Sequence, residues 1–219
     1  MAATVERATL VRRGLRLGYA TVAYNSLEGL IAIGAGLVAG SVALIGFGAD
    51  SLIELTAGGT AIWRLHSDLD PARRERAERV SLRVIGVCFL ALAAYVVADA
   101  TRSLLSRAAP DESIVGIFLA AASLVVMPLL ARAKRRVALA MGSGALAADA
   151  QQTVFCTYLS AILLAGLVLN AGLGWWWADP IAALLMAPII AREGVEGVQG
   201  RTACCSEGCD GSERKAPFD

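Results

Sequence analysis

Six stretches of this chain are long and apolar enough to cross a bilayer, and that constrains the fold more than any motif does. A spanning helix needs about 20 mostly apolar residues, and only helices or closed barrels satisfy every backbone polar group inside hydrocarbon. The stretches are residues 17–38, 41–63, 82–104, 113–131, 137–170 and 175–192. The fifth is longer than one span, so its first turns project from the bilayer or the helix tilts. With 57% of its 219 residues hydrophobic, the chain is far from the composition of a soluble domain. The expected fold class is an all-α integral membrane protein with six transmembrane helices.

Basic residues set the orientation. Arg7, Arg12, Arg13 and Arg16 precede the first span. Arg64, Arg73, Arg74, Arg76, Arg79 and Arg83 follow the second, and Arg132, Lys134, Arg135 and Arg136 follow the fourth. Arg192, Arg201, Arg214 and Lys215 follow the sixth, which leaves only Arg102 and Arg107 on the other side. An excess of Lys and Arg marks cytoplasmic loops, so both termini are expected in the cytoplasm of a multi-pass cell-membrane protein. The chain divides into a cytoplasmic N-terminal segment (1–16), a membrane domain (17–199) and a short Cys-bearing tail (200–219). No cleavable signal peptide is expected, since no small-residue cleavage site follows a short apolar core. A net charge of +1 gives no electrostatic case for binding nucleic acid. Phosphate loops, Ser-His-Asp sets and cofactor fingerprints are missing from the sequence, so neither an enzyme nor a cofactor is expected.

Two stretches match each other. Residues 40–54 read GSVALIGFGADSLIE and residues 142–156 read GSGALAADAQQTVFC. Both open with Gly-Ser-x-Ala-Leu. Ten and fourteen residues after the opening glycine stand Asp50 and Glu54 in the first copy, Gln152 and Cys156 in the second. Side chains four apart share one helix face, so these pairs can meet between two helices. Two carboxylates a turn apart in low dielectric repel unless a proton or a cation sits between them. That is the physical basis of exchanging a metal for protons, and few roles short of function repay two acids at midspan. Asp149, Gln152 and Cys156 share a face of the fifth span, and a thiolate there adds a soft donor. Gln152 is either a weak neutral ligand or a hydrogen-bonding support.

Other polar residues have weaker claims. Glu28, in the first span, is either a proton relay or a structural hydrogen-bond partner. Ala32, Gly36 and Gly40 form a small-residue stripe that suits close packing, within one chain or between two. HSDLDPARRERAERV, residues 66–80, reads as a mixed-charge cytoplasmic loop whose lone His66 is solvated. Cys88 is expected to be a small core residue. Asp99 faces water or pairs with Arg102, and Pro128 is expected to kink the fourth span. Trp175, Trp176 and Trp177 form an interfacial anchor, followed by Asp179 near a helix cap and Pro180 in its first turn. Cys204, Cys205 and Cys209 in the tail could collect a soft metal, or the tail is simply disordered.

Three pieces resemble the cation diffusion facilitators, six-helix metal/proton antiporters that act as homodimers: ALIGFGADSLIEL, GSGALAADAQQTVFC and WWWADPIAALLMAPIIAREGVEGVQ. They look like that family's second, fifth and sixth helices, and the resemblance covers about residues 17–199. It implies Asp50, Glu54, Gln152 and Cys156 as metal ligands, with Asp149 as a further candidate. It also implies proton-coupled export of a divalent transition metal by alternating access. Two departures stand out. The family's fifth helix usually offers His or Asp, then Asp, where this chain has Gln152 and Cys156; the thiol shifts preference toward zinc or cadmium. The family usually ends in a folded cytoplasmic domain, where this chain carries only the Cys-bearing tail. The departures keep an alternative open, a metal-binding sensor or accessory subunit that does not transport.

Overall fold

The computed structural model describes residues 2–66, 71–107, 110–141 and 144–199. Six helices follow one another: α1 (Ala2–Ala39), α2 (Val42–His66), α3 (Pro71–Ser106), α4 (Ile114–Met141), α5 (Gly144–Leu173) and α6 (Ala178–Val198). The described residues contain helices and short connections and no strand, so the chain is all-α as its apolar periodicity requires. Four helical stretches are long and apolar enough to cross a membrane: Thr9–Ala39, Arg83–Ser106, Ile114–Ala140 and Asp149–Leu173.

The helices associate as three pairs, α1 with α2, α4 with α5, and α3 with α6. The first two are hairpins of consecutive helices. The α1–α2 turn explains the opening of the repeated motif. Gly40 adopts φ +64, the left-handed conformation that ends a helix at little cost to glycine. Ser41 follows as the cap of α2, its Oγ accepting from the Leu44 amide at 3.1 Å. Gly142 and Ser143, the second copy of that opening, lie outside the described residues.

Small residues set how closely the pairs approach. Gly36 leaves room for Ile45, where an added Cβ would sit 2.9 Å from the Ile45 nitrogen, and Ala32 is fully buried. The small-residue stripe of α1 therefore packs within the chain, against α2. On α3, a Cβ at Gly86 would fall 2.5 Å from the Val198 nitrogen and 2.7 Å from the Gly194 carbonyl oxygen, so α3 and α6 touch backbone to backbone. Leu30, Leu37, Val38, Phe118 and Leu139 are exposed, while Asn25, Glu28, Asp50, Glu54, Lys134 and Asp179 are buried. An apolar exterior, with acids and a lysine buried among an apolar core, departs from the pattern of a soluble bundle and suits lipid as the solvent.

Several expectations need correction. Residues 71–80 do not form a loop but the first turns of α3, and the basic run Arg132–Arg136 continues α4. The mixed charges on 71–80 and the basic run on 132–136 are good helix formers, so polarity there marks the end of the apolar stretch and not of the helix. The fifth helix accordingly starts at Gly144 and not at 137. Cys88 is exposed on α3 and not part of the core, because Gly86 and Phe89 take the inward face. Asp99 accepts from Tyr95 at 3.4 Å and not from Arg102. Pro128 lies inside α4, and Trp175 stacks on Trp177 at 4.8 Å between ring centroids. Neither the side chain of His66 nor those of residues 71–82 are among the described ones.

The α3–α6 contact yields a direct test. Gly86→Leu should destabilise the bundle by about 1–3 kcal/mol through overpacking against backbone that cannot move aside. Gly34→Leu, at a site with nothing within 4 Å, should not disturb packing. Thermal unfolding of the two variants in detergent, read against the native chain, decides it.

Candidate metal centre

The register of the α1–α2 hairpin places the acids of α2 opposite the polar residues of α1. Asn25 Nδ2 donates to Glu54 Oε2 at 2.9 Å, and Ser51 Oγ donates to Glu28 Oε2 at 2.9 Å. Two polar rungs, one turn apart, thus cross the same interface. Helix α5 then packs against α2 and brings Cys156, fully buried, to the two acids. One donor atom each from Asp50, Glu54 and Cys156 lie within 4.8 Å of one another, and all three residues are buried. That spacing lets a single ion touch two carboxylate oxygens and a sulfur with small side-chain adjustments.

The electrostatics make this group unstable without a positive charge. Two carboxylates and a thiolate at this separation, out of water, repel strongly, and the bundle cannot screen them. Their charge state must therefore follow that of whatever cation or protons they hold. Asn25 is the neighbour of the site that sequence reading missed. It is a neutral residue with no motif around it, and only the hairpin register shows that it holds Glu54.

The structure separates the remaining candidates. Asp149 is not in the three-residue group. Its Oδ2 pairs at 2.8 Å with Lys134 Nζ, which also donates to Thr153 Oγ1 at 3.0 Å. Lys134 is 1% exposed, so a residue expected in a cytoplasmic loop is a buried cation beside the site. Gln152 is half-buried on α5, a turn before Cys156. Glu28 sits on the neighbouring rung against Ser51. Cys204, Cys205 and Cys209 lie outside the described residues.

Asp179 has a structural task. It does not cap its own helix, whose first residues follow Trp177 without a side-chain cap. Its Oδ1 accepts from Ser41 Oγ, and its Oδ2 from the Val42 amide at 3.0 Å. A carboxylate from α6 thereby closes the positive end of α2, the helix that carries both acids of the site.

Lys134 is buried, and Asp149 mostly so, each on the assumption of the other. Lys134→Met should cost about 3–5 kcal/mol, because it strands a buried carboxylate. Adding Asp149→Leu should recover most of that loss. Thermal midpoints of the native chain, the single variant and the double variant check it.

Comparison with known proteins identifies the family. Residues 19–198 match the model of the cation efflux transmembrane domain. The chain is also 29% identical over 158 residues to an uncharacterised transporter of Synechocystis, across 69% of this chain and 51% of that protein. It therefore spans about half the length of the relative. The match covers all six helices from the first turns of the apolar part of α1 to the end of α6, and includes every residue of the Asp50–Glu54–Cys156 group. The chain belongs to the cation efflux family.

Proposed function

We propose that this protein exports a divalent transition-metal cation, zinc or cadmium first, across the cell membrane in exchange for protons. The observation that carries the reading is the buried convergence of Asp50, Glu54 and Cys156 from two helices. The metal is cargo, and the three donors are its ligands, with Gln152 from the same face of α5 as a candidate fourth. Two hard oxygens and one soft sulfur make a borderline donor set, better suited to zinc or cadmium than to manganese or magnesium. Arrival of the dication displaces protons from the same groups, so raising the pH should tighten metal binding. Alternating access follows from rocking of the helix pairs around the fixed site, in a homodimer.

Asp50→Ala should abolish metal uptake into sealed vesicles under an inside-acid gradient while the protein still inserts and stays monodisperse. Cys156→Asp should keep flux but move the preference toward manganese, since it replaces the soft donor by a hard one. Unchanged flux in Asp50→Ala would remove the site. A metal ranking unmoved by Cys156→Asp would remove sulfur from the ligand set.

A further inference from the structure

Buried polar atoms in a bundle of this kind normally find partners. Among the described residues, five buried side-chain atoms lack one: Tyr24 Oη, Asn25 Oδ1, Glu28 Oε1, Ser123 Oγ and Glu193 Oε1. The first four come from α1 and α4, whereas Glu193 stands apart on the last turns of α6. Helical spacing explains why it turns inward. The buried stripe of α6 includes Ala183, Met186, Ile190 and Gly194. Glu193 falls seven residues after Met186 and three after Ile190, so it continues that stripe. Glu196, by contrast, accepts from the exposed Arg192 at 2.9 Å.

The ends of α6 set the depth of Glu193. Asp179 accepts from Ser41 Oγ and the Val42 amide at the start of α2, so α2 and α6 run alongside from a common end. Asp50 stands eight residues beyond Val42, and Glu193 fourteen beyond Asp179. At the helical rise, Glu193 therefore lies about 9 Å further from that end than Asp50. The far end of α6 is pinned to α3. A Cβ at Gly194 would sit 2.9 Å from the Leu90 nitrogen, and one at Gly86 would sit 2.5 Å from the Val198 nitrogen. Backbone contact on both sides of Glu193 holds it at this depth. This is the end that the basic residues place in the cytoplasm. Glu193 also lies within electrostatic range of Asp50.

A dication entering a buried site gives up hydration before it gains its ligands, and that gap is a barrier to arrival. A buried carboxylate oxygen with no hydrogen bond to break can take the ion part-way. One acid alone holds it loosely, and passage needs steps that bind well enough to enter and weakly enough to leave. We propose that Glu193 is a transit ligand for the divalent cation, taking it at the cytoplasmic mouth of the bundle and passing it to Asp50. The proposal rests on the metal-carrier reading above. Glu193 is not a member of the Asp50–Glu54–Cys156 group. A residue that lowers the barrier between water and that group speeds arrival and departure alike, so it governs rate and leaves affinity in place.

The experiment uses the full chain in vesicles with the cytoplasmic face outward and the lumen acid, and pairs cadmium uptake with equilibrium binding in detergent. Glu193→Gln should lower initial uptake at sub-saturating cadmium about tenfold, the lower bound for losing a charge that guides a cation into a cleft. It should leave the cadmium Kd in detergent within about twofold. Glu193→Asp, which keeps the carboxylate, should recover most of the uptake. Glu112 is an exposed acid between α3 and α4, at the opposite end of the bundle, and Glu112→Gln should leave uptake within about twofold. Native uptake in Glu193→Gln, or a Kd weakened beyond twofold, would overturn the transit role. So would an equal loss in Glu112→Gln, which would assign the effect to overall charge. If the native chain bound no cadmium, or Asp50→Ala bound it as tightly as the native chain, the metal-centre reading would fail and take the transit role with it.

Discussion

Two carboxylates cannot be held side by side in an apolar bundle without a counter-charge, and most of the polar interior is arranged around that constraint. Asp50 and Glu54 stand one turn apart on α2 and meet a thiol from α5. In water such a group would be unremarkable. Out of water, each ionised oxygen interacts with its neighbours over several ångströms with little screening. The protein places a buried cation nearby, Lys134, whose direct partners are Asp149 and Thr153. One lysine cannot offset Asp50, Glu54 and Asp149 together, so the group keeps an excess of acid over base.

Holding those acids in place takes helices that cannot slide. Glycines at α1–α2 and α3–α6 bring backbones into contact, so the register is fixed by shape before any polar group is counted. Once the register is set, Asn25 meets Glu54 and Glu28 meets Ser51. Asp179 adds a third constraint by closing the start of α2 from α6. The helix bearing both acids is thus tied at its first turn to one pair of helices and along its length to another.

Much of this was legible in the sequence. Apolar length gave the helices, and the duplicated Gly-Ser-x-Ala-Leu opening pointed to Asp50, Glu54, Gln152 and Cys156, of which all but Gln152 converge, because i, i+4 spacing fixes which side chains share a face. Helix ends were read less well. Charged runs at 71–80 and 132–136 looked like loops, yet α3 and α4 run through them, since leaving the apolar layer does not stop a helix of good helix formers. Lys134 was misplaced for that reason. Asn25 and Ser123 were illegible for another. Each is a neutral polar residue in an apolar helix, and its meaning lies wholly in which helix it faces, which periodicity does not encode. Asp179 was read as a feature of its own helix because capping is usually local, and here it acts across the bundle.

Satisfaction of hydrogen bonds separates the two kinds of buried polar residue. Asp179 accepts bonds at both oxygens, and Lys134 meets a carboxylate and a hydroxyl, so each charged group is partnered. Around α1 the opposite holds. Asn25, Glu28, Tyr24 and Ser123 each keep a buried polar atom without a partner, all in the neighbourhood of the α2 acids. Unpaired buried groups cost about 1–3 kcal/mol each, so small side-chain adjustments that join them would be favourable. The charged groups that tie α6 to α2 and α4 to α5 are paired, while the α1 side of the bundle keeps unpaired polar atoms.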